Sequence, residues 1–233
     1  MEKIVTGRPK AEVVINDFVR SVYNWMAIGL ALTGFVAFYV SRNPALVRLI
    51  FGNPLLLIVF ILAYFGLVMY LSARISRMSA GTATSLFIVY AGLTGVLMAS
   101  IFLVYTAESI ASTFFVCAGT FVGCSIYGWT TKRDLTSWSG FLMMGLIGVI
   151  IAILVNMFLQ SSAMNMMIGC IGVIVFVGLT AYDTQKLKNM ALTQPAGLDG
   201  DVIRKGAILG ALSLYLDFIN LFLMLLRLFG QRR

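Results

Sequence analysis

Residues 135–182 read LTSWSGFLMMGLIGVIIAILVNMFLQSSAMNMMIGCIGVIVFVGLTAY and contain no Asp, Glu, Lys or Arg. A helix crossing a bilayer needs about 20 apolar residues, so this run is too long for one crossing. Its polar interruption, Gln160-Ser161-Ser162, divides it into two predicted spans, about 138–159 and 164–182. The apolar residues are continuous and do not alternate with polar ones, which argues against a membrane β-barrel. The run decides the fold class: an all-α integral membrane protein.

Outward from it, charges mark the other breaks. Toward the N-terminus the predicted spans are about 23–40, 54–71, 81–105 and 110–130, and toward the C-terminus one more follows, about 206–228. The reading is seven transmembrane helices in a single membrane domain, 23–228. A mixed-charge N-terminal segment, 1–22, precedes it and a short basic tail, 229–233, follows. The first twenty residues are too long and polar for a secretory n-region, and no small-residue cleavage site follows the first span, so no cleaved signal is expected. The polar stretch before the last span holds Lys186, Lys188, Pro195, Gly197, Asp199, Gly200, Asp201, Arg204 and Lys205. Asp199-Gly200-Asp201 is a fragment of a calcium-loop pattern, too short to be one, and reads as a solvated turn.

Composition agrees. Of 233 residues, 60% are hydrophobic and 11% charged, and the mean hydropathy is +0.96; soluble domains carry about a quarter charged residues. A soluble enzyme, a disordered chain and a nucleic-acid binder are excluded. The net charge of +8 is accounted for by the bilayer, because basic residues collect in cytoplasmic loops. With the N-terminus inside, twelve of the 17 Lys and Arg fall on the cytoplasmic side and five on the other. The N-terminus is therefore expected in the cytoplasm. Arg227, Arg232 and Arg233 are the weak point of that tally, since they change sides if the last span does not cross. Cys117, Cys124 and Cys170 lie within spans and read as small buried hydrophobes.

Of nine acidic residues, seven fall in the N-terminal segment or in loops. Asp217 does not: it lies inside the last apolar run, and Asp183 closes the run before it. An ionisable group at the centre of a membrane helix costs roughly 2.5–3.5 kcal/mol and marks a functional site by default. Gly206, Gly210, Ser213, Asp217 and Asn220 share one face of the last span at helical spacing. Asn165, Gly169, Gly172, Thr180 and Asp183 share a face of the span before it. Small-residue faces let helices approach closely, so consecutive spans can bring the aspartates together. Two carboxyls at hydrogen-bond distance in low dielectric would share one proton. A protonated pair would hold the helices together, and a doubly ionised pair would repel or take up a cation. Oxygen-only ligands suit a hard ion such as Ca²⁺. Arg74 and Arg77, on the same side as the end of the sixth span, are candidate latches for the ionised pair.

Other chemistries lack their residues. An intramembrane aspartyl protease matches Tyr182-Asp183, but its Gly-x-Gly-Asp half needs glycines where Leu214 and Leu216 stand, and the only Pro-Ala-Leu, at 44–46, precedes the second span. A retinal protein needs a lysine deep in a helix, and every lysine is outside the spans or at their edges. Metal hydrolysis lacks ligands, since there is no histidine. The chain is not expected to be an enzyme or to hold a cofactor.

Residues 178–188 (GLTAYDTQKLK), 214–222 (LYLDFINLF) and 225–230 (LLRLFG) resemble the Bax inhibitor-1 (TMBIM) family, and 130–135 (TTKRDL) with the basic tail resembles its bacterial, inner-membrane branch. The resemblance covers all seven spans. It implies a seven-helix fold with the last helix central, and a pH-sensitive calcium leak controlled by an aspartate pair, which Asp183 and Asp217 match. It also implicates an arginine near the junction of spans two and three, where Arg74 and Arg77 both stand. An additional acidic residue carried by some relatives in span two is absent between Arg48 and Arg74. The expected function is a pH-sensitive calcium or cation leak with Asp183 and Asp217 as proton sensor, gate and possible Ca²⁺ ligands, lined secondarily by Thr180, Ser213 and Asn220. Its expected partners are the lipid bilayer, calcium ions and protons. Two alternatives are a membrane-embedded regulator of another membrane complex, such as a protease, and a proton-coupled transporter.

Overall fold

The computed structural model describes residues 8–193 and 199–233, with side chains from residue 17 onward. Residues 1–7, and Pro195 and Gly197 of the last polar stretch, lie outside the described residues. The described chain is helical, with no strand: α1 (Arg8–Arg42), α2 (Pro44–Phe51), α3 (Pro54–Arg74), α4 (Ala80–Val104), α5 (Ala107–Thr130), α6 (Ser139–Leu159), α7 (Ser162–Thr193) and α8 (Gly200–Phe229). Single 3₁₀ turns, Ile75–Arg77 and Thr136–Trp138, precede α4 and α6. All but α2 are long and apolar enough to cross a membrane.

Local chemistry sets several boundaries. Asn43 and Asn53 each precede a proline and cap the helix that follows: Asn43 Oδ1 accepts from the N–H of Ala45 and Leu46, and Asn53 Oδ1 from Leu55 and Leu56. Proline suits the first helical position because its missing N–H would be unpaired there. α6 stops at Leu159 because Gln160 turns left-handed, with φ +50°, its N–H bonded to the Asn156 carbonyl. The Asn156 side chain then takes the Ser161 N–H at 3.0 Å.

Three features differ from the sequence reading. α2 was not anticipated; it folds into a cluster with Val40, Ile50 and Ala99 at its centre. α1 begins at Arg8, well before the apolar run, and Phe18 and Val22, one turn apart, are buried. α7 continues past Tyr182 to Thr193, because Leu187 and Ala191 extend a buried stripe. Asp183 therefore sits within a helix and not at its end.

Contacts divide the chain into two compact units. The first holds residues up to Val104 together with Met190–Leu212; the second holds Tyr105–Asn189 and Ser213–Arg233. In the first, α4 is the core. Thr33 Oγ1 of α1 donates to the Ala91 carbonyl at 2.9 Å. Gly95 permits this approach, since a Cβ there would lie 2.7 Å from the Thr33 carbonyl oxygen. Tyr64 of α3 stacks on Tyr90 at 4.9 Å between centroids.

In the second unit α8 is gripped from several sides. Phe218 packs edge-on against Phe114 and Phe121 of α5, at 5.6 and 5.5 Å. Gly169 and Gly172 of α7 make room for Leu228 and Met224 of α8. Of the seven spans α8 is the most enclosed: 72% of its apolar window is buried, against 39% at most elsewhere. The sequence reading set its small and polar stripe against an apolar remainder, yet Leu214, Leu221 and Leu226 are buried too. A helix surrounded by helices buries its leucines as well as its glycines. α3 and α6 are the opposite case, with 6% and 11% of their windows buried, and present their apolar side chains to lipid.

Candidate functional site: a buried aspartate pair

Both aspartates belong to the second unit. Asp217 of α8 is buried, 6% exposed, and Asp183 of α7 is half-buried. Their carboxyl groups are close enough to hydrogen-bond to one another. Asp217 Oδ2 has no hydrogen-bond partner of its own. The other acids whose side chains are described, Asp17, Glu108, Asp134, Asp199 and Asp201, are all exposed. Exposed Lys186 acts electrostatically on Asp183.

α7 is fixed at this level by its neighbours. Gly128 of α5 sits against the Ala181 backbone, where a Cβ would collide with the carbonyl. Thr184 donates to Ser125 Oγ across the same contact, at 3.4 Å. Gln185 uses both ends of its amide, accepting from Leu135 N–H and donating to the Arg133 carbonyl, each at 2.8 Å. Lys188 donates to the Trp129 carbonyl at 2.6 Å and lies 6.0 Å from the centre of that indole ring. Residues 184, 185 and 188 thus anchor the helix that carries Asp183.

These anchors were not singled out from sequence. Gln185 and Lys188 read as solvated polar residues following a span. The signal was the helical spacing of Thr184, Gln185 and Lys188 beyond Asp183, which continues α7 without a break. The three secondary residues are less committed to the pair. Thr180 is buried, but its hydroxyl donates to its own helix at Phe176, 2.7 Å away. Asn220 donates to Leu216 on its own helix at 2.8 Å, and Ser213 is half-buried. Arg74 ends α3 and Arg77 ends the following 3₁₀ turn; both are exposed and belong to the first unit.

Two carboxyls supply at most four oxygens, whereas Ca²⁺ takes six to eight. Among the described residues no three His, Cys, Asp or Glu side chains converge on one point. The donor set fits a hydrated or passing hard cation better than a closed metal site. The cysteines are free: Cys117 is buried with its thiol 3.6 Å from the Phe218 carbonyl, but Cys170, expected inside, is exposed. The remainder of α7 turns that side outward, where a small thiol faces lipid.

Seven helices long and apolar enough to cross a membrane, two of them carrying carboxyls within hydrogen-bonding reach of each other, define a polytopic integral membrane protein. Residues 15–233 match the family model described as "Inhibitor of apoptosis-promoting Bax1". The chain belongs to the Bax inhibitor-1 family. It is 55% identical over 219 residues to "Inner membrane protein YbhL" of Escherichia coli K12, covering 94% of this chain and 93% of that one. An uncharacterized protein of Borreliella burgdorferi is 46% identical, with 96% of each chain covered. An uncharacterized membrane protein of Streptococcus pyogenes is 32% identical, with 95% and 96% covered.

Proposed function

We propose that this protein is a pH-sensitive leak for calcium or another cation, gated by Asp183 and Asp217. The observation that carries this reading is the approach of two carboxyls to hydrogen-bond distance within an apolar bundle. Such a pair holds one proton in common at little cost. Losing it leaves two negative charges that must separate or be neutralised by a cation. α7 and α8 then have two arrangements, and protons choose between them. Ser213, Asn220 and Thr180 serve as secondary polar contacts of the pair. No step requires bond-making chemistry, in keeping with a non-enzymatic role.

The proposed setting is a bacterial inner membrane, as in YbhL's name, with the N-terminus in the cytoplasm. Seven crossings then place the tail on the opposite side. The tail meets the α4–α5 junction: Tyr105 bridges Arg232, Thr106 N–H donates to the Gln231 carbonyl at 3.0 Å, and Gln231 N–H donates to Ser109 Oγ at 2.9 Å. α8 is therefore read as a full crossing.

The test is the purified protein in liposomes enclosing a calcium dye, with an imposed calcium gradient and a series of pH values. Calcium flux that changes with pH supports the leak. No flux at any pH, together with copurification of a membrane complex, would replace it with the regulator. Saturable solute uptake coupled to protons would replace it with the transporter.

A further inference from the structure

A second feature of the α5–α7 region lies apart from the aspartate pair. A groove of about 400 Å³ opens between α5, the start of α6 and α7. Gly123, Cys124, Leu142 and Gly178 form its walls, and Tyr127 and Trp138 stand toward its loop end. Gly123 leaves the floor open, since a Cβ there would meet nothing within 4 Å. Tyr127 is 49% and Trp138 58% exposed, the placement of aromatic residues at a membrane–water boundary.

Charge lies close by in the chain. Leu135 lines the groove, and exposed Lys132 and Arg133 stand three and two residues before it in the α5–α6 connection. Gln185 holds that connection at Arg133 and Leu135, so the two cations project from a fixed turn. The intervening Asp134 is engaged by Thr136, which donates from its N–H at 2.9 Å and from its hydroxyl at 2.6 Å to the same oxygen. An apolar slot with interfacial aromatics, and two exposed cations on the turn that leads into it, matches an amphiphile with apolar tails and a negative head. Basic positions beside gaps between membrane helices are where acidic headgroups bind.

We propose that this groove seats an acyl chain of an anionic phospholipid, whose phosphate headgroup is held by Lys132 and Arg133. The site is independent of the cation reading. It shares α7 with Asp183, since Gly178 and Ala181 line the groove.

The test is native mass spectrometry of the intact protein in mild detergent, with added dioleoyl phosphatidylglycerol or dioleoyl phosphatidylcholine at equal concentration. The expected result is several-fold higher occupancy by phosphatidylglycerol. Gly123→Phe, whose Cβ would meet nothing within 4 Å and whose ring would occupy the groove, should remove most of that binding. Gly66→Phe on α3, whose Cβ also meets nothing within 4 Å, should leave it intact. Lys132→Gln with Arg133→Gln should bring the two lipids to equal occupancy. Equal retention of both lipids by the parent protein would overturn the proposal. So would phosphatidylglycerol binding that survives Gly123→Phe, or a preference that survives loss of both cations.

Discussion

Asp217 is the residue at which chemistry and cost diverge most sharply. Its carboxyl is buried, reaches Asp183, and keeps one oxygen without a partner. Asp217→Asn supplies a neutral hydrogen-bonding group of the same shape, so the pair is held in a state resembling the protonated one. Asp217→Ala should instead leave Asp183 facing an apolar gap and lower the melting temperature more than the Asn variant does; equal melting points would show that the mutual bond has no structural weight. A different titration belongs to Asp134, outside the membrane. The Thr136 hydroxyl and N–H hold its carboxyl below the ordinary carboxylate range. Because the folded value is the lower one, the contribution is fully present above the ordinary value of about 3.9 and is lost as pH falls through the folded value. Thr136→Val should move the Asp134 titration upward in NMR of labelled aspartate, and an unmoved titration would contradict the role of the hydroxyl. Asp217 was legible because a charge inside an apolar run stands out in any sequence. Ser125, Gln185 and Lys188 were not, because their importance comes from partners 50 or more residues away.

Elements were legible in proportion to their apolar length. The seven spans announced themselves by apolar runs, and the Gln160-Ser161-Ser162 interruption falls where α6 gives way to α7. α2 is apolar but, at eight residues, too short for a crossing, and the start of α1 and the last turns of α7 are polar, so none of them carries such a signal. The Asn-Pro pairs at 43–44 and 53–54 were the local sign that two helices start there. Asn53→Ala should cost about 0.5–2 kcal/mol by removing the cap of α3, measurable as a lower melting temperature in detergent; Asn53→Ser should retain most of the stability. Close packing gives a second prediction. A Cβ at Gly172 would lie 2.6 Å from Met224 Sδ, so Gly172→Leu should destabilise by about 1–3 kcal/mol through overpacking of α7 on α8. Gly148→Leu, with nothing within 4 Å of the added atom, should be near neutral. A neutral Gly172→Leu would mean that α7 and α8 do not pack so closely.

At the scale of the molecule, the proposed topology rests on charge distribution and helix count. Basic residues stand where α3 and α5 finish, at Arg74, Arg77, Lys132 and Arg133, and on the last turns of α7 and the first turns of α8, at Lys186, Lys188, Arg204 and Lys205. The tail joins the α4–α5 junction. In intact cells, a membrane-impermeant maleimide should label Arg233→Cys and should reach Lys132→Cys only after permeabilisation; the reverse pattern would invert the orientation. The proposed direction follows the excess of positive charge, while the two embedded negative charges carry the proposed function. The most direct test of that function is calcium flux in liposomes as a function of pH, compared between the parent protein, Asp183→Asn and Asp217→Asn. The account predicts pH-dependent flux in the parent and pH-independent flux in both variants. A pH dependence that persists unchanged in both would contradict it.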